Sequence, residues 1–203
     1  MDPLFVSRWS PRAFEPVAMP EGDLYTMLEA ARWAPSAYNI QPWRFIYALR
    51  NDAHWEDFLS LLDPFNAGWA KNASALLFLV SNTLMPAQGS RPAKPSGTHR
   101  FDAGAAWAQL ALQATALGYQ AHAMAGIHFD QVKLRLSVPE HYHVEIAVAI
   151  GRQTDSRDLP RALQAREKPS LRRPLAQLAF RARFDPNPID AVSVSQAAGA
   201  AQR

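Results

Sequence analysis

Apolar positions at Leu24, Met27, Leu28 and Ala31 recur with the helical period and predict a helix from Glu21 to Trp33, opened by Met19-Pro20-Glu21. Four short apolar runs bounded by turn residues predict strands over Trp43–Leu49, Ala75–Ser81, Gln120–Met124 and Val144–Ile150. Further helices are expected over about Asp52 to Leu62, Arg100 to Leu117 and Asp130 to Leu136. Between Leu84 and Gly97 the pattern disappears and prolines cluster, which predicts a mobile loop. Trp33 and Trp43 are expected to anchor the core, with Trp43 also placed to border a pocket. The polar, Ala-rich end beyond Asp185 is expected to be a flexible tail, so that 1–184 form one domain and 185–203 the tail.

The segment from Asp102 to Ala116 holds seven alanines and one glycine. Small side chains let helices approach closely. One buried core helix and a helix shared between two subunits both fit this pattern.

Composition narrows the class. A chain of 203 residues with 48% hydrophobic and 19% charged residues can bury a sizeable core as one globular domain. No apolar run approaches the ~18 residues of a membrane span, and the start M-D-P-L-F-V-S-R-W shows no signal-peptide pattern, so the cytoplasm is the default expectation. There is no cysteine, which removes disulfides, thiolate metal sites and cysteine nucleophiles. Beyond residue 150 the chain carries ten Lys and Arg against five Asp and Glu, whereas the first 150 residues carry eleven against thirteen. The basic end holds one aromatic pair, Phe180 and Phe184, and no nucleic-acid module, so no nucleic-acid partner is expected.

Two segments carry the chemistry. In A-P-S-A-Y-N-I-Q-P-W-R-F-I-Y, Ser36, Asn39 and Gln41 fall within six residues between two prolines. All three donate and accept hydrogen bonds without charge, which suits a planar neutral heterocycle. A helix-capping loop leading into a strand fits the same residues. Near the N-terminus, Arg8, Ser10 and Arg12 alternate. In an extended segment they point to one side, and two guanidinium groups with a hydroxyl then form a phosphate site.

R-W-S-P-R-A-F at Arg8–Phe14 resembles the R-x-S-x-R-x-F opening of the nitroreductase family, and A-P-S-A-Y-N-I-Q-P-W-R-F resembles its A-P-S-x-x-N-x-Q-P-W-x-F segment. A-V-A-I-G-R ending at Arg152 and R-R-P-L at Arg172–Leu175 extend the match over roughly 5–180. The resemblance implies an α+β fold, nitroreductase-like, with a central mostly antiparallel sheet flanked by helices in an intertwined homodimer. It implies one FMN per subunit at the dimer interface, NAD(P)H as reductant, and ping-pong reduction of a nitroaromatic, quinone or related small acceptor. A non-catalytic FMN-binding module is the alternative.

Carried over residue by residue, the resemblance implies a cofactor site of Arg8, Trp9, Ser10, Arg12, Pro35, Ser36, Ala37, Asn39, Gln41, Ala125, Gly126 and Arg152. Arg8, Ser10 and Arg152 would grip the phosphate, and Arg12 would face the N1/C2 edge of the ring. Ser36, Asn39 and Gln41 would bond the pyrimidine end and ribityl chain. A main-chain N–H near Gly126 would point at N5, although Gly126 also reads as a simple turn residue. Asn66 is a weaker candidate for the same ring edge. No side chain is assigned a catalytic role, flavin N5 being the reactive centre. The chain departs from the family where Trp9 replaces a frequent basic residue.

Other signals carry less. There is no G-x-G-x-x-G, G-K-[ST] or G-x-S-x-G motif. His141 and His143 flank Tyr142 without completing a metal set, and no metal site is expected. His99 reads either as an exposed side chain or as one that meets a substrate.

Overall fold

The computed structural model describes residues 1–87 and 92–185. They fall into two units, divided between Pro169 and Ser170. The expected tail lies outside the described residues apart from Asp185.

The first unit is built on a four-stranded sheet with the order β1 (Trp43–Leu49), β2 (Ala75–Asn82), β6 (Tyr142–Gly151), β5 (Gln120–Met124). Every pairing is antiparallel. The two remaining strands, β3 (Leu84–Met85) and β4 (Lys94–Pro95), pair with each other. The mobile loop expected over 84–97 thus contains a short two-stranded pairing, and its stretch 88–91 lies outside the described residues. A proline is tolerated in so short a two-stranded edge because it need not donate to a further ladder.

Strand β2 is buried along nearly its whole length because both faces are covered. Leu76, Phe78 and Val80 enter one core cluster, and Ala75, Leu77 and Leu79 the other. The first cluster is covered by α3 (Trp55–Ser60), α4 (Pro64–Ala70) and α6 (Phe129–Arg135), through residues such as Phe58, Trp69 and Val132. The second is covered by α2 (Glu21–Arg32) and α5 (His99–Ala116), through Leu24, Met27, Ala31, Ala103, Ala106, Leu110 and Ala114. The small side chains of α5 thus let α2 pack closely. The opposite side of α5 stays open: Phe101 is 83% exposed, and a groove of about 300 Å³ is lined by Leu4, Trp33, Leu112 and Ala116.

Trp43 is buried as expected, whereas Trp33 is 71% exposed. The helix ends at Arg32, so Trp33 leaves the apolar stripe. Its ring lies under the Arg32 guanidinium at 5.0 Å, and its Nε1 donates to Glu29 Oε1 at 3.1 Å. The helix expected over Asp52 to Leu62 is shorter, and α4 follows it separately, capped by Asp63, whose Oδ1 accepts from Asn66 N at 2.7 Å. The described residues also contain α1 (Leu4–Ser7) and α7 (Arg161–Gln164). No helix of the described residues is long and apolar enough to cross a membrane.

The β2–β6 register slips between Leu79, which faces Ile146, and Val80, which faces Val144. Glu145 is therefore the extra residue of a β-bulge. In the second unit, a 3₁₀ turn covers Leu175–Gln177, and the Phe180 and Phe184 rings meet at 5.1 Å.

Gly151 closes β6 against the first core cluster. A Cβ there would come within 2.9 Å of Phe14 Cδ1, and Phe14 is fully buried. Gly151→Ala should cost about 1–3 kcal/mol through overpacking, read as a lower urea midpoint at unchanged m-value.

Candidate functional site

The N-terminal segment is laid along the free edge of β5 by side-chain bonds. Gln120 Nε2 donates to Ser7 O at 3.1 Å, and Trp9 N donates to Gln120 Oε1 at 3.3 Å. Trp9 Nε1 donates to Gln153 Oε1 at 3.1 Å. His122 Nδ1 meets Pro11 O at 2.8 Å, which assigns the ring proton to Nδ1. Residues 13–15 then join the chain beyond β6 through Thr154 N to Ala13 O and Glu15 N to Arg152 O. The segment consequently runs in the direction of β5, with Trp9 beside Gln120 and Pro11 beside His122. Two residues past Met124, the end of β5, lies Gly126.

Arg8 and Ser10 come together, with Arg8 Nη1 at 3.4 Å from Ser10 Oγ. The chain bends at Arg12, which leaves the two-residue alternation. Its Nη1 faces Glu167 Oε2 at 4.0 Å. Glu167 Oε1 accepts from Arg12 N at 2.5 Å and from Ala13 N at 2.8 Å. Burial pulls the Arg12 guanidinium below its ordinary value, Arg166 adds to that, and Glu167 opposes it. Arg152 lies over the Tyr119 ring at 4.6 Å.

At the far end of β5, Gly126 is needed for space. A Cβ would fall 2.0 Å from Asp63 Oδ2 and 2.5 Å from Asn66 Nδ2. Gly126 O accepts from Asp63 N at 3.0 Å and from Asn66 Nδ2 at 3.1 Å. Asn66 is thereby fixed beside the Ala125–Gly126 turn, next to which Ala125 is exposed.

The loop 35–41 is held in an uncommon conformation. Tyr38, Asn39 and Gln41 all have positive φ, at 52°, 55° and 47°. Left-handed backbone at residues other than glycine costs on the order of 1 kcal/mol each. Anchors offset this: Ser36 Oγ accepts from Gln41 N at 2.9 Å, and Asp102 Oδ2 accepts from Ala37 N at 3.3 Å. Asn39 and Gln41 are joined by Gln41 Nε2 to Asn39 Oδ1 at 3.1 Å, and Tyr38 is 82% exposed. Pro35 is also exposed.

The 35–41 loop and the Arg8–Ser10–Arg152 group do not meet within one chain. The loop enters β1 at Trp43, opposite Ser81, while Arg152 follows the end of β6, where Ile150 faces Ala75. They sit at opposite ends of the sheet, about 20 Å apart at about 3.3 Å per residue.

A polar cluster sits at the loop end of the sheet. The bulged Glu145 accepts from Ser81 Oγ at 2.5 Å on Oε1. His99 Nδ1 and His143 Nδ1 lie 3.5 and 3.4 Å from that oxygen. Arg100 Nη2 meets His143 Nε2 at 2.8 Å. Burial holds the His143 imidazole below its ordinary value, with Glu145 opposing. His99 is thus held in a network and is not a freely exposed side chain. Among the described residues no group of His, Asp or Glu is arranged to hold a metal.

The donors brought together beside β5, Arg8 and Ser10, suit an anion. A cation and a hydroxyl stand at one end, and buried Arg12 Nε and Glu167 Oε2, neither with a hydrogen-bond partner, stand further along. His122 and Glu167 were not visible as site residues in the sequence. The one available signal was that Glu167 is the only glutamate in the basic stretch beyond residue 150.

The nitroreductase family model matches residues 6–63 and 61–152. The chain belongs to the nitroreductase family. A solved oxidoreductase containing FMN is 51% identical, with TM-score 0.89, covering 92% of this chain and 94% of that one. A nitroreductase from Exiguobacterium sibiricum, solved in complex with FMN, is 22% identical with TM-score 0.71, over 89% and 97% of the two chains, and shares the fold. An enone reductase of conjugated-linoleic-acid biosynthesis from Lactiplantibacillus plantarum is 28% identical over 179 residues, 72% of this chain and 82% of that protein. An NADH dehydrogenase from Thermus thermophilus is 29% identical over 170 residues, 72% and 83% of the two chains.

His122 supplies a test of this local geometry. Its imidazole is held below the ordinary value, chiefly by burial and further by Arg12, against the Pro11 carbonyl. The folded state therefore resists a proton that the unfolded chain takes up near pH ~6.5. Stability is full above that pH and falls as the pH drops below it. His122→Gln should flatten the loss of Tm between about pH 7 and 5, measured by thermal melts across that range.

Proposed function

We propose that the protein is an FMN-dependent oxidoreductase that uses NAD(P)H to reduce small nitroaromatic, quinone or enone acceptors by ping-pong use of one site. The observation that carries this is the placement of the Arg8–Ser10 pair along the edge of β5, with Arg12 at the bend that follows. Family membership and the FMN-containing relative at 51% identity support it.

Bound FMN would supply hydride acceptance at N5 and electron delivery to the acceptor. Arg8 and Ser10, with Arg152, would hold its phosphate by charge-assisted hydrogen bonds. Trp9 would fix the strap on which those residues sit. Arg12 would face the N1/C2 edge of the ring and favour its reduced, more negative form. Ala125 and Gly126 would present main chain to the ring, Gly126 leaving room for Asp63 and Asn66 to pack against the turn.

Ser36, Asn39 and Gln41, with Pro35 and Ala37, would serve the site of a second copy in a homodimer. Two observations support the dimer. The loop and the Arg8–Ser10–Arg152 group stand at opposite ends of one sheet. Phe5, Val6, Trp33 and Phe101 are large apolar side chains left exposed on α1, the end of α2 and α5.

The purified protein should be yellow and release FMN on denaturation. Arg8→Ala should weaken FMN binding by roughly 1.5–3 kcal/mol, while riboflavin, which lacks the phosphate, should be indifferent to the change. Equal losses for both ligands would remove Arg8 from the phosphate.

Mixed dimers test the division between copies. Arg8→Ala chains and Asn39→Ala/Gln41→Ala chains should each bind FMN weakly as homodimers. Mixed dimers should regain one tight site, because one of their two sites then draws only on unaltered segments. No recovery would mean that both groups serve the same chain's site.

A further inference from the structure

We infer that Glu167 sets the redox poise of the site by sharing the Arg12 charge with the flavin. This rests on the reading that FMN lies along β5 with Arg12 at its N1/C2 edge. The carboxylate is deeply placed, its side chain only 2% exposed, and Arg12 beside it is 15% exposed. Its two oxygens have different tasks. Oε1 is fully engaged by the backbone N–H groups of Arg12 and Ala13. Oε2 has no hydrogen-bond partner and stands 4.0 Å from Arg12 Nη1, beyond hydrogen-bond length.

Arg12 shows the complementary deficit, since its Nε is buried without a partner. A guanidinium presents five N–H donors in a rigid fork. Here one edge of that fork faces a carboxylate at a distance and another is unfilled. Buried polar atoms are nearly always satisfied, yet these two are closed off from solvent, so a further group can meet only the part of the Arg12 side chain that stays exposed, 15% of it. The ring edge of a flavin, with its carbonyl oxygens, supplies acceptors for Arg12 and none of the donors that Oε2 lacks. Glu167 therefore stays a neighbour of Arg12 when the ring is in place.

The electrical consequence follows from the separation. An unpaired cation at the ring edge favours the reduced, more negative flavin. A carboxylate 4.0 Å behind it turns that monopole into a dipole, whose field falls off faster with distance. Low exposure keeps water from screening the carboxylate. Glu167 holds Arg12 in place through the strap and at the same time offsets its pull on the electrons. It touches neither the ring nor a reacting atom and is a positioning residue.

Glu167→Gln is the informative change. The amide oxygen still accepts from Arg12 N and Ala13 N, while the charge is gone. Spectroelectrochemical titration of the FMN-loaded variant should show reduced FMN favoured over oxidised FMN about tenfold more than in the unaltered protein, a rise of about 30 mV for a two-electron couple. In an Arg12→Gln background the same change should give a similar rise, because the fields of separate fixed charges add. An unchanged or lowered midpoint overturns the inference, as does a rise that vanishes in the Arg12→Gln background.

If Gln at position 167 does not fold, Arg12→Gln alone carries the test. With the carboxylate left and the cation removed, the midpoint must fall by at least the same tenfold ratio, and a constant midpoint overturns the inference. A wild-type protein that takes up no FMN overturns the cofactor reading itself, whereas a yellow protein with unmoved potentials overturns only the role of Glu167.

Discussion

Strand β2 is buried on both faces, and this constraint decides where polar chemistry can stand in the molecule. Its alternating side chains feed two separate cores, so neither face of the sheet centre has room for a charge. Charged and hydrogen-bonding groups are left with the ends of the strands and the two edge strands, β1 with Arg44 and Tyr47 and β5. The Arg8–Arg12 segment takes the β5 edge, the 35–41 loop takes one end, and Arg152 takes the other. Both functional segments are extended or looped backbone pinned to a rigid frame, which preorganises their side chains at little entropic cost on binding.

The 35–41 loop shows how such preorganisation is reached. Three residues in left-handed backbone store strain that a free peptide would release. Ser36 from within the loop and Asp102 from α5 hold it. Asp102 is almost fully buried, and it also accepts from Thr98 Oγ1 at 3.1 Å, so the first turn of α5 and the loop are one hydrogen-bonded piece. The helix that supplies the alanine stripe for core packing thus also fixes the loop.

Much of this was legible in the sequence, for physical reasons. The four sheet strands stand out because a strand buried on both faces must be a continuous apolar run. The two motifs stand out because they place unusual polar sets beside prolines. Trp33 was misassigned because the apolar stripe of α2 points to it while the helix stops one residue earlier. Asp102, His122 and Glu167 were not legible in their roles. Each meets its partner across a sequence separation of 65 residues or more, which no local pattern records. The division of the polar groups between opposite ends of the sheet was hidden for the same reason, since it depends on strand register.

The bulge in β6 carries a consequence for how the chain tolerates change in length. On its carboxyl side, Ala147 and Ala149 face the first core, and Val148 and Ile150 the second. Strict alternation carried backwards would turn Val144 toward the second core, yet it packs in the first. Glu145 is the residue that absorbs the mismatch. Losing one residue from a regular strand inverts every side chain on one side of the cut. Losing Glu145 would instead restore an unbroken alternation, with Val144 still opposite Val80 and still facing the same core. The sheet as a packed object has no use for this position. Its one evident contribution is a carboxylate delivered to Ser81, His99 and His143, so at this point the chain is one residue longer than its fold requires.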